Sequence, residues 1–254
     1  MLRVDILPVL TDNYIFMLVD EATNTCAVVD PAASEPVLSY LRDRDLSLSA
    51  IYNTHHHFDH VGGNLDLKIQ TGCQIFGYGP DAPRIPGVDH LLTEGDVIEV
   101  GESKARVLFA PGHTSGHILY HFEEDQKCFV GDTLFSIGCG RLFEGTPAEM
   151  WQSLQHFKDM PEETEIYCAH EYTLANIRFA EALVGEDDAL LAYQELCLEK
   201  QSGGNPTIPT NLGVEQALNP FLAVSDGDYR AQVGLGHLSA LEAFTKIRSQ
   251  KDHF

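Results

Sequence analysis

The sequence has few basic residues. Lys and Arg together number 16, against 38 Asp and Glu, and the formal net charge is −22. Binding nucleic acid or an anionic membrane takes clustered cationic side chains, and the average field of this chain repels phosphate groups. The composition therefore argues against nucleic acid and membrane as partners, and an anionic substrate would need a local basic patch.

Long apolar runs, an export signal and paired cysteines are also missing. No segment approaches about 18 uninterrupted apolar residues, and residues 1–5 do not form a charged region that leads into an apolar run. The six cysteines are scattered along the chain without a C-x-x-C pair. We therefore expect a soluble, cytoplasmic protein with reduced and mostly buried thiols.

Short apolar runs dominate the first two thirds of the 254 residues. Their β-branched and aromatic residues predict ten strands, and the turn-like stretches between them support this reading. The predicted strands cover residues 4–9, 14–19, 25–29, a segment ending at 51–53, 73–78, 97–100, 105–109, 118–122, 128–130 and 165–168. A helix with Ser34 as its N-cap and a short helix over residues 64–70 lie between strands, whereas residues 79–93 read as an irregular loop. This alternation favours a layered α/β fold.

Residues 54–60 contain four imidazoles and one carboxylate immediately after a predicted buried strand. If the chain stays extended there, the side chains of His55, His57 and Asp59 share one face, while His56 and Phe58 face the other way. Imidazole nitrogen and carboxylate oxygen are ligands that zinc and similar divalent metals accept. A purification tag would lie at a terminus in polar surroundings, so the stretch is a candidate metal site.

Three other predicted strands end in the same kind of residue. His113 lies in a Pro/Gly turn after one strand, Asp132 follows Gly131 after another, and His170 follows the strand over residues 165–168. Ligands of α/β folds collect where strand ends open onto loops. The repetition indicates one site assembled from distant segments.

The composition changes after His170. Residues 174–184, 189–200 and 238–248 have helical apolar spacing, and no convincing strand pattern appears among them. We therefore predict a layered α/β portion over residues 1–171 and a helical C-terminal portion over residues 172–254.

These motifs resemble a known family. Residues 54–60 match the T-H-x-H-x-D-H signature of the metallo-β-lactamase superfamily, with His113, Asp132 and His170 in the order of its remaining ligands. The Gly-Cys-Gly-Arg loop at residues 138–141, the Cys-Ala-His-Glu-Tyr stretch at 168–172 and the R-x-x-K-D ending at 248–252 are similar to glyoxalase II, hydroxyacylglutathione hydrolase. The similarity covers essentially the whole chain.

The resemblance implies a fold and a metal centre. The implied fold is an αββα sandwich of two mixed β-sheets flanked by helices, followed by a helical C-terminal domain. By the same resemblance, residues 1–171 are the catalytic domain and residues 172–254 are the substrate-binding domain. The family pattern assigns two divalent metal ions, with zinc favoured and iron or manganese as alternatives. Their implied ligands are His55, His57 and His113 for one metal, Asp59, His60 and His170 for the other, and Asp132 as the bridge.

The resemblance also implies an activity. A metal-bridged hydroxide attacks the thioester of an S-2-hydroxyacylglutathione such as S-lactoylglutathione, releasing glutathione and a 2-hydroxy acid such as lactate, in methylglyoxal detoxification. Asp59 and Asp132 take the catalytic roles. The implied substrate-binding residues are Arg141, Phe143, His170, Tyr172, Arg248 and Lys251. A monomer is expected.

Several alternatives stay open at this point. A persulfide dioxygenase shares much of the histidine pattern but generally lacks the long helical ending, and a lactonase or β-lactamase has no evident use for the R-x-x-K-D motif. A non-catalytic metal-stabilised module is disfavoured because structural zinc sites are usually closed and four-coordinate. Arg248 and Lys251 could be a solvated helix end, and Cys139 and Cys168 read as packing residues.

Overall fold

The computed structural model describes residues 1–254, and the chain divides into two compact units. Unit 1 comprises residues 1–109 and 116–131, and unit 2 comprises residues 110–115 and 132–254. The predicted domain boundary between residues 171 and 172 stays a prediction.

Unit 1 contains a six-stranded mixed sheet. Its strands in spatial order are β1 (Leu2–Val9), β2 (Asn13–Asp20), β3 (Thr25–Val29), β4 (Leu48–Tyr52), β5 (Gln74–Tyr78) and β6 (His90–Leu92). The first three strands pair antiparallel, and the pairs from β3 to β6 are parallel. Every residue of β2 is buried, which is the pattern of a strand covered on both faces.

A second strand layer of unit 1 is antiparallel. It consists of β7 (Val97–Val100), β8 (Ser103–Phe109), β9 (Ile118–Phe122) and β10 (Lys127–Gly131), each paired with the next. The Tyr52 hydroxyl donates to the Glu99 carbonyl at 2.7 Å, and the ring centroids of Phe16 and Phe129 lie 5.5 Å apart. The two layers of unit 1 therefore pack face to face.

Helices cover the other face of the mixed sheet. They are α1 (Ser34–Arg44), the single-turn α2 (Phe58–Val61) and α3 (Asn64–Thr71), with a 3₁₀ helix at Gly79–Arg84. Ile15 and Met17 of β2 share a core with Val37 of α1 and Leu67 of α3, whereas Phe16 faces the second layer. Alternate residues of one strand thus serve two cores, as the two-residue period of a strand requires.

Two predictions for unit 1 are wrong in detail. The N-cap of α1 is Ala33 and not Ser34, whose hydroxyl donates to Asp66 Oδ2 instead. The loop predicted over residues 79–93 contains the 3₁₀ helix and β6. This strand is three residues long and pairs with β5 at the sheet edge, so it carries too few residues for a visible alternation.

Unit 2 is mostly helical. Its strands are β11 (Leu134–Phe135), β12 (Gly138–Cys139), β13 (Glu165–Cys168) and β14 (Thr210–Asn211), paired as β11 with β12 and β13 with β14. Its helices are α4 (Pro147–Leu154), α5 (Thr173–Val184), α6 (Asp188–Ser202), α7 (Leu212–Leu218), α8 (Pro220–Ala223), α9 (Gly227–Gln232) and α10 (Ala240–Asp252), with a 3₁₀ helix at Gln155–Lys158. The Phe244 ring of α10 lies 5.6 Å from Trp151 of α4 and 6.0 Å from Phe221 of α8, between ring centroids.

The predicted helical C-terminal portion is confirmed, although its bounds differ. The sequence predicts helix α10 over residues 238–248, but the helix runs from Ala240 to Asp252. It begins at Ala240 because Ser239 is its N-cap and forms a capping box with Glu242. The short β14 contradicts the prediction of no strand after His170. None of the helices is long and apolar enough to cross a membrane.

Candidate metal centre and substrate pocket

The first cluster of candidate ligands, here called the His55 cluster, lies in unit 1 and comprises His55, His57, Asp59 and His60. His55 and His60 are buried, and His55 Nε2 lies 3.0 Å from His57 Nδ1. Two ring nitrogens at this separation can bind one cation together. The fit to a divalent metal therefore rests on the donor chemistry and on its convergence within unit 1.

Groups behind the His55 cluster fix the orientation of its rings. Asp30 Oδ2 lies 2.9 Å from His60 Nδ1, and the Thr54 backbone N–H and hydroxyl donate to Asp30 at 2.8 and 2.6 Å. A carboxylate only accepts hydrogen bonds, so His60 Nδ1 is the donor and its Nε2 keeps the lone pair that a metal needs. The side chains of Asp30, His55 and His60 form one compact group.

We expected an extended backbone throughout the His55 cluster, but the structure shows a helical turn in its second half. Helix α2 begins at Phe58, and the N–H groups of His60 and Val61 donate to the His57 carbonyl at 2.9 and 3.2 Å. The turn fits because Gly62 follows: a Cβ there would lie 2.5 Å from the Ala32 carbonyl oxygen. Asp59 and His60 therefore project with helical spacing, and Phe58 is 78% exposed.

Asp59 has a partner that the sequence did not indicate. Asn13 is buried at the start of β2, and its Nδ2 donates to Asp59 Oδ2 at 2.9 Å and to the Asp59 carbonyl at 3.3 Å. The amide therefore holds one carboxylate oxygen of Asp59 and fixes the orientation of that carboxylate. The sequence separation of 46 residues explains why no local pattern shows this contact.

The second cluster, here called the Asp132 cluster, lies in unit 2 and comprises His113, Asp132 and His170. All three are buried, and Asp132 Oδ2 lies 3.3 Å from His113 Nε2 and 3.5 Å from His170 Nε2. The Arg141 carbonyl lies 2.9 Å from His113 Nδ1, so this nitrogen donates and Nε2 keeps its lone pair. Convergence of two imidazoles on one carboxylate oxygen suits a metal-binding carboxylate.

A cavity of about 460 Å³ opens beside the Asp132 cluster within unit 2. Its lining combines candidate metal ligands with five of the six predicted substrate-binding residues. The lining includes His113, Asp132, Phe135, Cys139, Arg141, Phe143, Tyr172, Ala175, Asn176, Arg248 and Lys251. The sixth, His170, stacks on the Tyr172 ring with centroids 4.8 Å apart and an interplanar angle of 5°.

Arg248 is not a solvated helix end. The residue is only 3% exposed, its Nη1 donates to the Cys139 carbonyl at 2.8 Å, and its Nη2 lies 3.1 Å from Asp252 Oδ1. Arg141 is much more exposed and lies at the pocket, 4.0 Å from the same Asp252 oxygen. The pocket thus holds one buried and one exposed guanidinium.

Lys251 is half-buried beside these guanidinium groups. Its Nζ donates to the Ala175 carbonyl at 3.2 Å and lies 5.0 Å from the centroid of the Phe179 ring. Burial, followed by the charges of Arg248, Arg178 and Arg141, lowers the pKa of Lys251 to about 8. Arg178 on α5 is a further cation near the pocket that the sequence analysis missed.

Phe143 and the two cysteines differ in exposure. The Phe143 ring is 64% exposed and lies 5.2 Å from the His113 ring, so it lines the pocket without a hydroxyl to offer. Cys139 and Cys168 are buried free thiols. Burial raises the pKa of Cys168 to about 12 and raises the pKa of Cys139, which suits packing residues.

Asp30 is the missed residue for which the sequence carried a signal. It follows the end of β3 as Asp132 follows the end of β10, so the strand-end rule applies to it equally. Its role differs, because both of its oxygens accept from Thr54 and His60.

Comparison with known proteins agrees with these observations. Residues 13–170 match the model of the metallo-β-lactamase superfamily, and residues 171–254 match the model of the hydroxyacylglutathione hydrolase C-terminus. Proteins named hydroxyacylglutathione hydrolase are similar along their whole length. The one from Methylococcus capsulatus is 46% identical over 100% of this chain and 99% of its own, and the one from Rhodospirillum rubrum is 45% identical over 97% and 96%.

Solved structures show the same fold at lower identity. ETHE1 from Myxococcus xanthus aligns with a TM-score of 0.67 and 23% identity over 98% of this chain and 90% of that one. The BLEG-1 B3 metallo-β-lactamase aligns with a TM-score of 0.64 and 22% identity over 87% and 99%. The predicted fold class, two mixed sheets with flanking helices and a helical C-terminal region, is confirmed. The chain belongs to the hydroxyacylglutathione hydrolase family of the metallo-β-lactamase superfamily.

Proposed function

We propose that this protein hydrolyses the thioester of S-2-hydroxyacylglutathiones such as S-lactoylglutathione, giving glutathione and a 2-hydroxy acid. The observation that carries the proposal is the unit 2 cavity, where Asp132 and His113 line the same space as Arg141, Arg248 and Lys251. Glutathione has two carboxylates distant from its sulfur. A pocket with metal-binding groups and cations therefore matches both the reacting and the recognised parts of such a substrate.

We further propose two divalent metal ions, with zinc preferred over iron or manganese. Family membership supports His55, His57 and His113 as ligands of one, Asp59, His60 and His170 as ligands of the other, and Asp132 as the bridge. When bound, two such cations would acidify water to hydroxide near neutral pH and stabilise negative charge on the thioester oxygen.

Residues of the chain itself orient the candidate metal ligands. Asn13 holds Asp59, Asp30 holds His60, and the Arg141 carbonyl holds His113, so the candidate ligands are set in place by the fold. The leaving group is a thiolate, which departs without a strong general acid.

The positively charged side chains of unit 2 recognise the glutathione part of the substrate. In this proposal Arg141, Arg248 and Lys251 bind the glutathione carboxylates, and Tyr172 and Phe143 contact the rest of the substrate.

Six buried free cysteines support a cytoplasmic location. A monomeric state stays a prediction.

Substrate comparison tests the function. Purified protein should release free thiol from S-lactoylglutathione much faster than from the lactoyl thioester of N-acetylcysteamine, which lacks the carboxylates. Oxygen consumption with glutathione persulfide should be absent. Oxygen consumption without thioester hydrolysis would replace the proposal with persulfide dioxygenase activity, and equal rates on the two thioesters would remove glutathione recognition.

A further inference from the structure

The hairpin of β11 and β12 forms one wall of the pocket and turns through a strained residue. Ile137 has a φ of 57°, a left-handed conformation that a β-branched residue rarely adopts. The residues on either side of the turn matter for the pocket. Phe135 lies 5.2 Å from Tyr172 between ring centroids, and the Cys139 carbonyl accepts from Arg248.

A buried carboxyl group holds this turn. Glu215 of α7 is 0% exposed, and its Oε2 accepts from the Ile137 N–H at 2.8 Å. The same oxygen accepts from Asn219 Nδ2 at 2.8 Å, while Oε1 accepts from the Thr210 hydroxyl at 2.7 Å. A carboxyl buried this deeply is costly unless donors satisfy it, and here three donors do.

Asn219 ties the same hairpin from its other side. Its Nδ2 also donates to the carbonyls of Phe135 at 3.1 Å and Gly138 at 3.0 Å, one on each strand. Its Oδ1 accepts from the Phe221 N–H and caps α8. Neither Glu215 nor Asn219 lines the cavity, so both act on it through the hairpin.

We propose that Glu215 and Asn219 are positioning residues for substrate recognition: they hold the strained turn at Ile137 so that Phe135 and the Cys139 carbonyl fix Tyr172 and Arg248 for the glutathione part of the substrate. The inference rests on the proposed function. It assigns no role to either residue in the bond-breaking step, and therefore predicts a change in substrate binding without a comparable change in turnover.

The main test variant is Asn219→Ser. Serine keeps an N-cap oxygen for α8 but removes the donors to Phe135, Gly138 and Glu215. Glu215→Ala removes the carboxyl, and Glu215→Gln is the conservative rescue, because an amide oxygen can accept from Ile137 and Asn219 while its NH₂ faces the Thr210 hydroxyl. Asn211→Ala is the matched control, since Asn211 caps α7 through Gly213.

Binding is measured with S-methylglutathione, a thioether that cannot be hydrolysed, and turnover with S-lactoylglutathione. Asn219→Ser and Glu215→Ala should raise the Kd and KM about tenfold or more, with kcat within about threefold and metal content unchanged. Glu215→Gln should restore Kd and KM to within about threefold of the wild type. The control and the rate on the small lactoyl thioester should not change.

A folded Asn219→Ser variant with wild-type Kd and KM overturns the proposal, and so does an equal loss on both thioesters. If Glu215→Ala does not fold, the Kd and KM of Asn219→Ser and Glu215→Gln still test the proposal. Wild-type protein that binds the thioether but does not hydrolyse S-lactoylglutathione defeats the proposed function while the binding data still test Glu215. Wild-type protein that does not bind the thioether overturns the inference.

Discussion

Individual candidate ligands are oriented by residues far away in the sequence. Asn13 and Asp59 are 46 residues apart, and Asp30 and His60 are 30 apart. The candidate ligands could be proposed from the sequence because they form short motifs at strand ends. The groups that orient them could not, because a single polar residue in a strand or loop carries no periodic signal of a distant partner.

Asp132 is expected to be the most sensitive single position. In Asp132→Asn the amide keeps the shape but loses the charge near His113 and His170. We expect lower metal occupancy together with a kcat reduced by at least about 100-fold, and no loss of fold. Metal analysis and steady-state kinetics measure this, with the exposed Asp66→Asn on α3 as control. Near-normal turnover would show that Asp132 is structural.

Lys251 should make substrate binding depend on pH. Its pKa is lowered to about 8 by burial and by Arg248, Arg178 and Arg141, with Cys139 acting in the opposite direction. The ammonium is charged below that pH and neutral above it, so KM for S-lactoylglutathione should rise as the pH passes about 8, by up to about tenfold at pH 9.

The conservative variant isolates this effect. Lys251→Arg stays charged throughout the range, so its KM should stay flat where that of the wild type rises. The small lactoyl thioester should show no such rise with either protein. Parallel pH profiles for wild type and Lys251→Arg would mean that another group titrates.

At the scale of secondary structure, strands rich in apolar residues were predicted well, whereas short helices and capped helix ends were not. Strands β3, β7, β9 and β13 have the predicted bounds, because apolar residues make up most of each strand and polar or turn-like residues mark its ends. Helix α2 was missed because one helical turn is too short for a 3.6-residue period to show. Helix α7 was also missed. It carries Glu215, and the hydrogen-bond partner of Glu215, Ile137, is 78 residues away in the sequence.

Helix α7 should make stability depend on pH through Glu215. Burial raises the pKa of Glu215 from 4.5 to about 7, although the hydrogen bonds from Asn219, Thr210 and Ile137 act in the opposite direction. The folded protein therefore binds a proton that the unfolded chain has lost between about pH 4.5 and 7. Stability from this group falls as the pH rises through that window, by about 3 kcal/mol.

Urea unfolding of wild type and Glu215→Gln at several pH values measures this. Glutamine does not titrate, so the free energy of unfolding of the wild type should fall relative to that of the variant between about pH 4.5 and 7. Curves that stay parallel across the window would show that the carboxyl group of Glu215 keeps an ordinary pKa.

At the scale of the whole molecule, the distribution of charge suits the substrate class that family membership suggests. The net charge of −22 argues against polyanionic partners, yet Arg141, Arg248 and Lys251 line one cavity of unit 2. The fold class could be predicted because the motifs at residues 54–60, 138–141 and 248–252 together resemble one family. The pinning of the pocket wall by Glu215 and Asn219 could not, since it depends on packing between helices and a hairpin that only the folded chain brings together.

A zinc titration shows whether this protein is a dinuclear thioester hydrolase. Metal-free protein is titrated with zinc while hydrolysis of S-lactoylglutathione is followed. We expect activity to be absent with chelator and to reach its plateau at about two equivalents of metal per chain. Full activity at one equivalent, or activity that survives complete metal removal, would contradict it.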